Sequence, residues 1–159
     1  MKSRIAHRMF LIALTTTLAT SMAATARADG SLSCSPRSVA GKWAFTINGT
    51  IPSIGPVGAV GLFTQDASGN FNGTETRSLN GDSADETLTG TATVNPDCSG
   101  TDTIQVFEGG VLVRTSTLAV VYDDNKNEAR ALFTSVILPD GTVLPSILTS
   151  EAHKLLPKD

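Results

Sequence analysis

Aromatic residues are scarce in this chain. Phe, Trp and Tyr make up 5% of its 159 residues, and past residue 28 one Trp, one Tyr and five Phe remain. An outer-membrane barrel carries aromatic girdles on both sides of a lipid-facing apolar band, and so few rings do not supply them. Histidine is nearly absent: His7 and His153 are the only two, which leaves little for acid–base catalysis. Cysteine is limited to Cys34 and Cys98; there is no Cys-x-x-Cys pair, and a structural metal site wants more ligands than these. No stretch holds a 3.6-residue apolar period between capping residues, so little helix is expected. No cofactor is implied by any motif.

One long uncharged apolar run is present, at Met9 to Ala24, behind a basic start of Lys2, Arg4 and Arg8. Ala26-Arg27-Ala28 then fits the small-x-small pattern of a processing site. Together these predict a signal peptide over residues 1–28, cut after Ala28, with a cut after Ala26 as the alternative. Thr15-Thr16-Thr17 interrupts the run, which is short for a spanning helix, so a retained anchor is disfavoured. Cys34 lies too far on for a lipid anchor, and Ser31-Leu32-Ser33-Cys34 lacks the leucine such an anchor needs three residues before the cysteine. The expected location is therefore periplasmic or extracellular, in a bacterium.

The processed chain would run from Asp29 to Asp159, long enough for one domain with a real core. Removing Lys2, Arg4, Arg8 and Arg27 from the twelve basic residues leaves eight against fifteen acidic ones, a net charge of −7. A mildly acidic surface argues against nucleic acid and anionic membranes as partners. No stable membrane insertion is expected, and the oligomeric state is open. In an oxidising compartment the lone pair Cys34 and Cys98 reads most simply as a disulfide, with two free thiols as the alternative.

From Gly41 onward, β-type runs alternate with turn chemistry. Strand one is Gly41 to Gly49, with Trp43, Phe45 and Ile47 on one face. Thr50 to Pro56, with two prolines, reads as a loop. Strand two is Val57 to Gln65 and strand three Phe71 to Leu79, followed by Asn80-Gly81, a strong hairpin signal. Strand four runs from about Glu86 to Val94; Leu88, Gly90, Ala92 and Val94 share one face and threonines the other. Asn95 to Gly100 turns the chain. Strand five is Thr101 to Glu108, strand six Val111 to Tyr122, strand seven Glu128 to Leu138, and strand eight about Thr142 to Lys154.

Eight strands in simple succession predict an all-β antiparallel meander closed into an up-and-down barrel, because closure removes exposed edges. The alternative is a β-sandwich. The order Cys34, Trp43, Cys98 imitates an immunoglobulin-like domain, but Cys34 precedes Pro36, Cys98 falls in a turn, and Pro96 stands where that fold has a tyrosine. Gly and Ala in strands two and four allow sharp coiling or leave room inside. The internal face of strands six and seven is undecided, since both faces are partly apolar.

Gly41-Lys42-Trp43 resembles the G-x-W opening of the lipocalins and wider calycin barrels. The resemblance implies a tryptophan that closes the barrel floor against a basic side chain from the last strand region, for which Lys154 and Lys158 are the candidates. A broader likeness rests on the N-terminal cysteine, Gly41-Lys42-Trp43-Ala44-Phe45, Gly55 to Gly61, Asp66-Ala67-Ser68-Gly69-Asn70 and Thr93 to Gly100. It is to a group of exported bacterial proteins with no assigned activity. It implies secretion and a paired Cys34 and Cys98, and it brings no catalytic residue.

Motifs that imitate chemistry mostly dissolve. Gly81-Asp82-Ser83 looks like an esterase nucleophile block, yet Ser150 stands where the partner block to His153 needs an aspartate. Glu151 and His153 share a strand face and form an acid–base pair only on paper. Asp123, Asn125 and Asn127 begin like a calcium loop, but Glu128 takes the glycine position and Thr134 the place of the bidentate glutamate. Asn48 and Asn72 begin sequons that suit turns and strand ends. Glu75 and Arg77 alternate with Phe71, Gly73 and Leu79. Inside a barrel they would be a polar handle in a cavity; outside they would be simply solvated, the usual fate of charge and the expected one. Arg114 poses the same question. The candidate ligand-binding residues are thus Trp43, Glu75, Arg77, Leu88, Ala92 and Arg114. The leading expectation is an exported non-enzymatic barrel that binds a small apolar ligand. A cell-envelope structural or interaction module is the alternative, and a barrel enzyme the third.

Overall fold

The computed structural model describes residues 33–155. The leader, its cleavage site and Lys158 lie outside the described residues. A short helix α1 (Pro36–Val39) precedes eight strands: β1 (Gly41–Ile51), β2 (Gly55–Gln65), β3 (Asn70–Leu79), β4 (Asp82–Val94), β5 (Ser99–Glu108), β6 (Val111–Tyr122), β7 (Glu128–Ile137) and β8 (Ile147–Leu155). Each strand pairs antiparallel with the next, and β1 also pairs with β8 from Lys42↔Leu155 to Thr50↔Ile147, closing a barrel. The single closed sheet excludes the sandwich.

Turn chemistry sets most boundaries. Asn80 and Gly81 both take positive φ, 51° and 92°, so the two-residue connection matches the twist of its strands and β4 starts at Asp82, earlier than expected. Ile51 pairs with Gly55, which shrinks the expected 50–56 loop to Pro52-Ser53-Ile54. The largest correction is β8, which begins at Ile147 rather than Thr142. Pro145 has no N–H for a ladder, and the preceding residues form a turn in which Leu138 donates to Thr142 and Leu144 to Val136. Helix α1 was not foreseen. Ser35 caps it by accepting from the Ser38 N–H while Ser38 accepts from the Ser35 N–H, with Pro36 in the first turn.

Alternation places the core. Trp43, Phe45 and Ile47 from β1 and Leu88 and Ala92 from β4 are buried, while Thr87, Thr89, Thr91 and Thr93 face out. Gly61 and Gly90 do not leave empty space. A Cβ at Gly61 would sit 2.6 Å from the Phe45 ring, and one at Gly90 would meet the Phe71 ring, so both glycines seat aromatic rings. On β6 the inner face is Arg114, Ser116, Leu118, Val120 and Tyr122. The β6–β7 register shifts between Thr117 and Leu118. Past that irregularity the buried residue on β7 moves from Phe133 to Val136.

One barrel end is sealed. Val39, fully buried on α1, accepts a hydrogen bond of 3.0 Å from the Trp43 indole N–H. Lys154 donates to the Ser38 carbonyl at 3.3 Å and lies 5.5 Å over the Trp43 ring. This is the arrangement the Gly41-Lys42-Trp43 resemblance implied. Trp43 also stacks on Phe63 and meets Tyr122 edge-on, each at 6.1 Å between centroids. The Cys34–Cys98 disulfide, Cα–Cα 4.9 Å, ties the segment before α1 to the β4–β5 turn.

Candidate functional site

The barrel interior holds two cavities separated by a layer of buried charge. The lower, about 70 Å³, lies against the sealed end and is lined by Trp43, Phe63, Phe71 and Tyr122 together with Glu75 and Asp102. The upper, about 200 Å³, has apolar walls that include Ile51, Val57, Leu79, Leu144 and Leu148, and Arg77, Glu86 and Glu108 among its polar residues. Arg114 and Ser116 line both.

Register explains the charged layer. Glu75 on β3 sits directly opposite Glu86 on β4, a like-charge pair that would be unfavourable alone. Arg114 reaches across from β6 to join them: its Nη2 lies 2.6 Å from Glu75 Oε1 and 2.7 Å from Glu86 Oε2, and its Nη1 is 2.8 Å from Glu86 Oε1. Arg77 adds an Nε–Glu86 Oε1 bond of 2.9 Å and a looser approach of Nη2 to Glu108 at 3.6 Å. The side chains of Glu86 and Glu75 are 1% and 2% exposed. Charged donors on both oxygens of Glu86 make this a bidentate, charge-assisted network.

Burial sorts the carboxyls by protonation. Burial raises Glu75 to about 7, and Glu86 adds to the rise against the pull of Arg114. Burial pushes Glu86 up as well, but hydrogen bonds and charge from Arg114, with help from Arg77, outweigh it and hold Glu86 below its ordinary value. Asp102 is raised to about 7 by burial alone, and its Oδ1 has no protein partner. Tyr122 is raised by burial and by the nearby Asp102. At the floor, burial lowers Lys154. Ser116 Oγ and Arg77 Nη1 are likewise buried without a protein partner.

Of the sequence candidates, Trp43, Glu75, Leu88 and Arg114 line the lower cavity and Arg77 and Arg114 the upper. Ala92 is buried in the core and lines neither. The expectation that Glu75 and Arg77 are solvated is corrected: they point inward, because Arg114 and Glu86 supply the partners that make buried charge tolerable. Sequence reasoning missed Glu86, Asp102 and Ser116. Glu86 and Asp102 had a usable signal, since each shares a strand face with residues of the core, Leu88 for the first and Ile104 and Val106 for the second. Ser116 had none beyond its place on the face of Leu118.

The other motifs fall on the outside. His153 Nδ1 lies 3.7 Å from Glu128 and Glu151 3.9 Å from Arg130 Nε, all four side chains at least half exposed. Asp123 accepts from the backbone N–H groups of Asn127 and Glu128 and so closes the β6–β7 turn. Ser83 is exposed at the start of β4. Among the described residues no group of three or more His, Cys, Asp or Glu is arranged to hold a metal, and no helix is long and apolar enough to cross a membrane.

No protein-family model and no curated protein matches this chain. Solved structures do. A redesigned β-barrel, mFAP1, bound to DFHBI, superposes with a TM-score of 0.52 at 15% identity, covering 76% of this chain and 98% of that one. A related design, mFAP0, also bound to DFHBI, gives 0.49 at 15% identity over 74% of this chain and 99% of that one. The S-type phycobiliprotein lyase CPES from Guillardia theta gives 0.43 at 8% identity over 77% and 92%. At 15% identity the likeness to mFAP1 bears on the fold alone, a closed antiparallel barrel.

Proposed function

We propose that this chain is an exported, non-enzymatic, calycin-like barrel that binds a small, largely apolar ligand inside. The observation that carries this reading is the upper cavity, about 200 Å³ of mostly apolar wall ending on a charged layer with unpartnered polar atoms. An apolar cavity with a few convergent polar groups is the usual form of a small-molecule site. The barrel is sealed by Trp43 and α1 at one end, so a guest would enter from the other, past Ile54 and the 138–146 segment. The mFAP1 barrel, bound to DFHBI, supports the architecture as one that admits a guest. Export is supported by the predicted leader and by a disulfide that an oxidising compartment would preserve.

The test is methyl-resolved NMR of the processed chain titrated with a small-molecule extract of the envelope and medium of its source. Saturable shifts confined to inward methyls such as Ile47, Val57 and Leu148 are expected. Shifts confined to outward methyls, or none, would refute interior binding.

One observation favours the alternative, an envelope interaction module. Val121 and Leu132 stand 60% and 49% exposed on the β6–β7 outer wall, close together across the strand pair, and exposed apolar surface of this kind serves partners. Shifts at these methyls on titration with solubilised envelope protein, with the inward methyls unmoved, would support it.

A further inference from the structure

Resting on that interior-binding reading, we infer that the upper cavity selects a neutral molecule with a carbonyl group over the matching carboxylate or amine. Size comes first. An apolar cavity of about 150 Å³ accommodates benzene, so about 200 Å³ suits a guest of about eight to ten non-hydrogen atoms. The apolar walls hold a short chain or a single ring with its appendage.

The polar end decides the class. Arg77 Nη1 and Ser116 Oγ are buried, lack protein partners and belong to residues that line this cavity. A guanidinium nitrogen only donates, and a serine hydroxyl donates or accepts. An acceptor with lone pairs suits either of them, and the carbonyl oxygen of an amide, ester, lactone or ketone is the neutral form of such an acceptor.

Charge excludes the nearest competitors. The two guanidiniums of Arg77 and Arg114 both bond Glu86, Arg114 also meets Glu75, which is only partly charged near neutral pH, and Arg77 also approaches Glu108. A carboxylate guest would add a negative charge that no unpaired cation among the described residues lining this cavity balances. An ammonium guest would meet the donor-only Nη1; both oxygens of Glu86 are already bonded, and Glu108, half exposed at the solvent side, already lies beside Arg77. A neutral acceptor neither adds charge nor competes for the existing bonds.

Titration calorimetry of the processed chain, disulfide intact and near neutral pH, with octanamide, octanoate and octylamine tests this. Octanamide should bind saturably, and octanoate and octylamine at least about tenfold more weakly, the consequence of burying an unbalanced charge. Ser116→Ala should weaken octanamide at least about fivefold through the lost hydrogen bond. Ala59→Phe, which fills the upper cavity, should abolish binding while the fold, read by circular dichroism, persists. Octanoate or octylamine binding as tightly as octanamide would overturn the assignment, as would octanamide affinity unchanged by Ala59→Phe. If none of the three probes binds while the source extract still shifts the inward methyls, the ligand class is wrong and interior binding stands; if both fail, both readings fall.

Discussion

Asp102→Asn should remove a large part of the pH dependence of this protein's stability. Asp102 hangs in the lower cavity with Oδ1 unpartnered, near Tyr122, and burial raises its carboxyl from 3.8 to about 7. The unfolded chain releases that proton near the ordinary value. Between about pH 4 and pH 7 the folded state therefore holds a proton that the unfolded state lacks, so stability falls as pH rises through this window and levels off above it. The full shift corresponds to about 4 kcal/mol, of which about 2 to 3 kcal/mol falls between pH 5 and pH 8. Asparagine has the same shape and no charge to desolvate. Its stability relative to the wild type should rise by about 2 to 3 kcal/mol from pH 5 to pH 8. Urea unfolding followed by Trp43, the chain's single tryptophan, gives both curves, and Glu75 cancels in the subtraction because both proteins carry it. Parallel curves across this range would refute the assignment of a buried, unpartnered carboxyl to Asp102.

The charged layer and the seal offer further tests. Glu86→Ala removes the hub that both arginines share and should cost about 3 to 5 kcal/mol, the usual result of stranding buried charge; a loss below about 1 kcal/mol in urea unfolding would show the layer to be solvated. Because Glu86 sits below its ordinary value, its stabilising contribution is present above the unfolded value near 4.5 and fades as pH falls through the lower folded one; Glu86→Gln should lose that acid dependence in the same titration. Replacing Cys34 and Cys98 together by serine should cost at most about 4 kcal/mol for a closed span of 64 residues, read as the shift in urea midpoint against the oxidised parent. Trp43→Ala should cost about 3 to 5 kcal/mol through loss of the packed ring and the bond to Val39, read in urea unfolding followed by circular dichroism for variant and parent alike; a near-neutral effect would mean that the floor is not built on this residue.

The barrel was legible because its information is local. Asn80-Gly81, Gly109-Gly110 and Asp140-Gly141 mark turns directly, and Trp43-x-Phe45-x-Ile47 and Leu88-x-Gly90-x-Ala92 announce inward faces. The start of β8 was misread because Val143 and Leu144 look like strand, although Pro145 interrupts the ladder. The site was half legible. Trp43 and Arg114 could be singled out from their strands, but the inward turn of Glu75 and Arg77 depends on Arg114, 39 positions beyond Glu75. No local pattern encodes that closure. The irregularity between Thr117 and Leu118 likewise shifts the inner face of β7, which is why alternation alone left β6 and β7 undecided.

Native mass spectrometry of the processed chain, purified from its own source with the disulfide intact, decides whether the barrel interior carries a guest. A stoichiometric small-molecule adduct that is released on denaturation and is lost in Ala59→Phe is expected. A clean apo mass from every preparation, with Ala59→Phe indistinguishable from the parent, would contradict it.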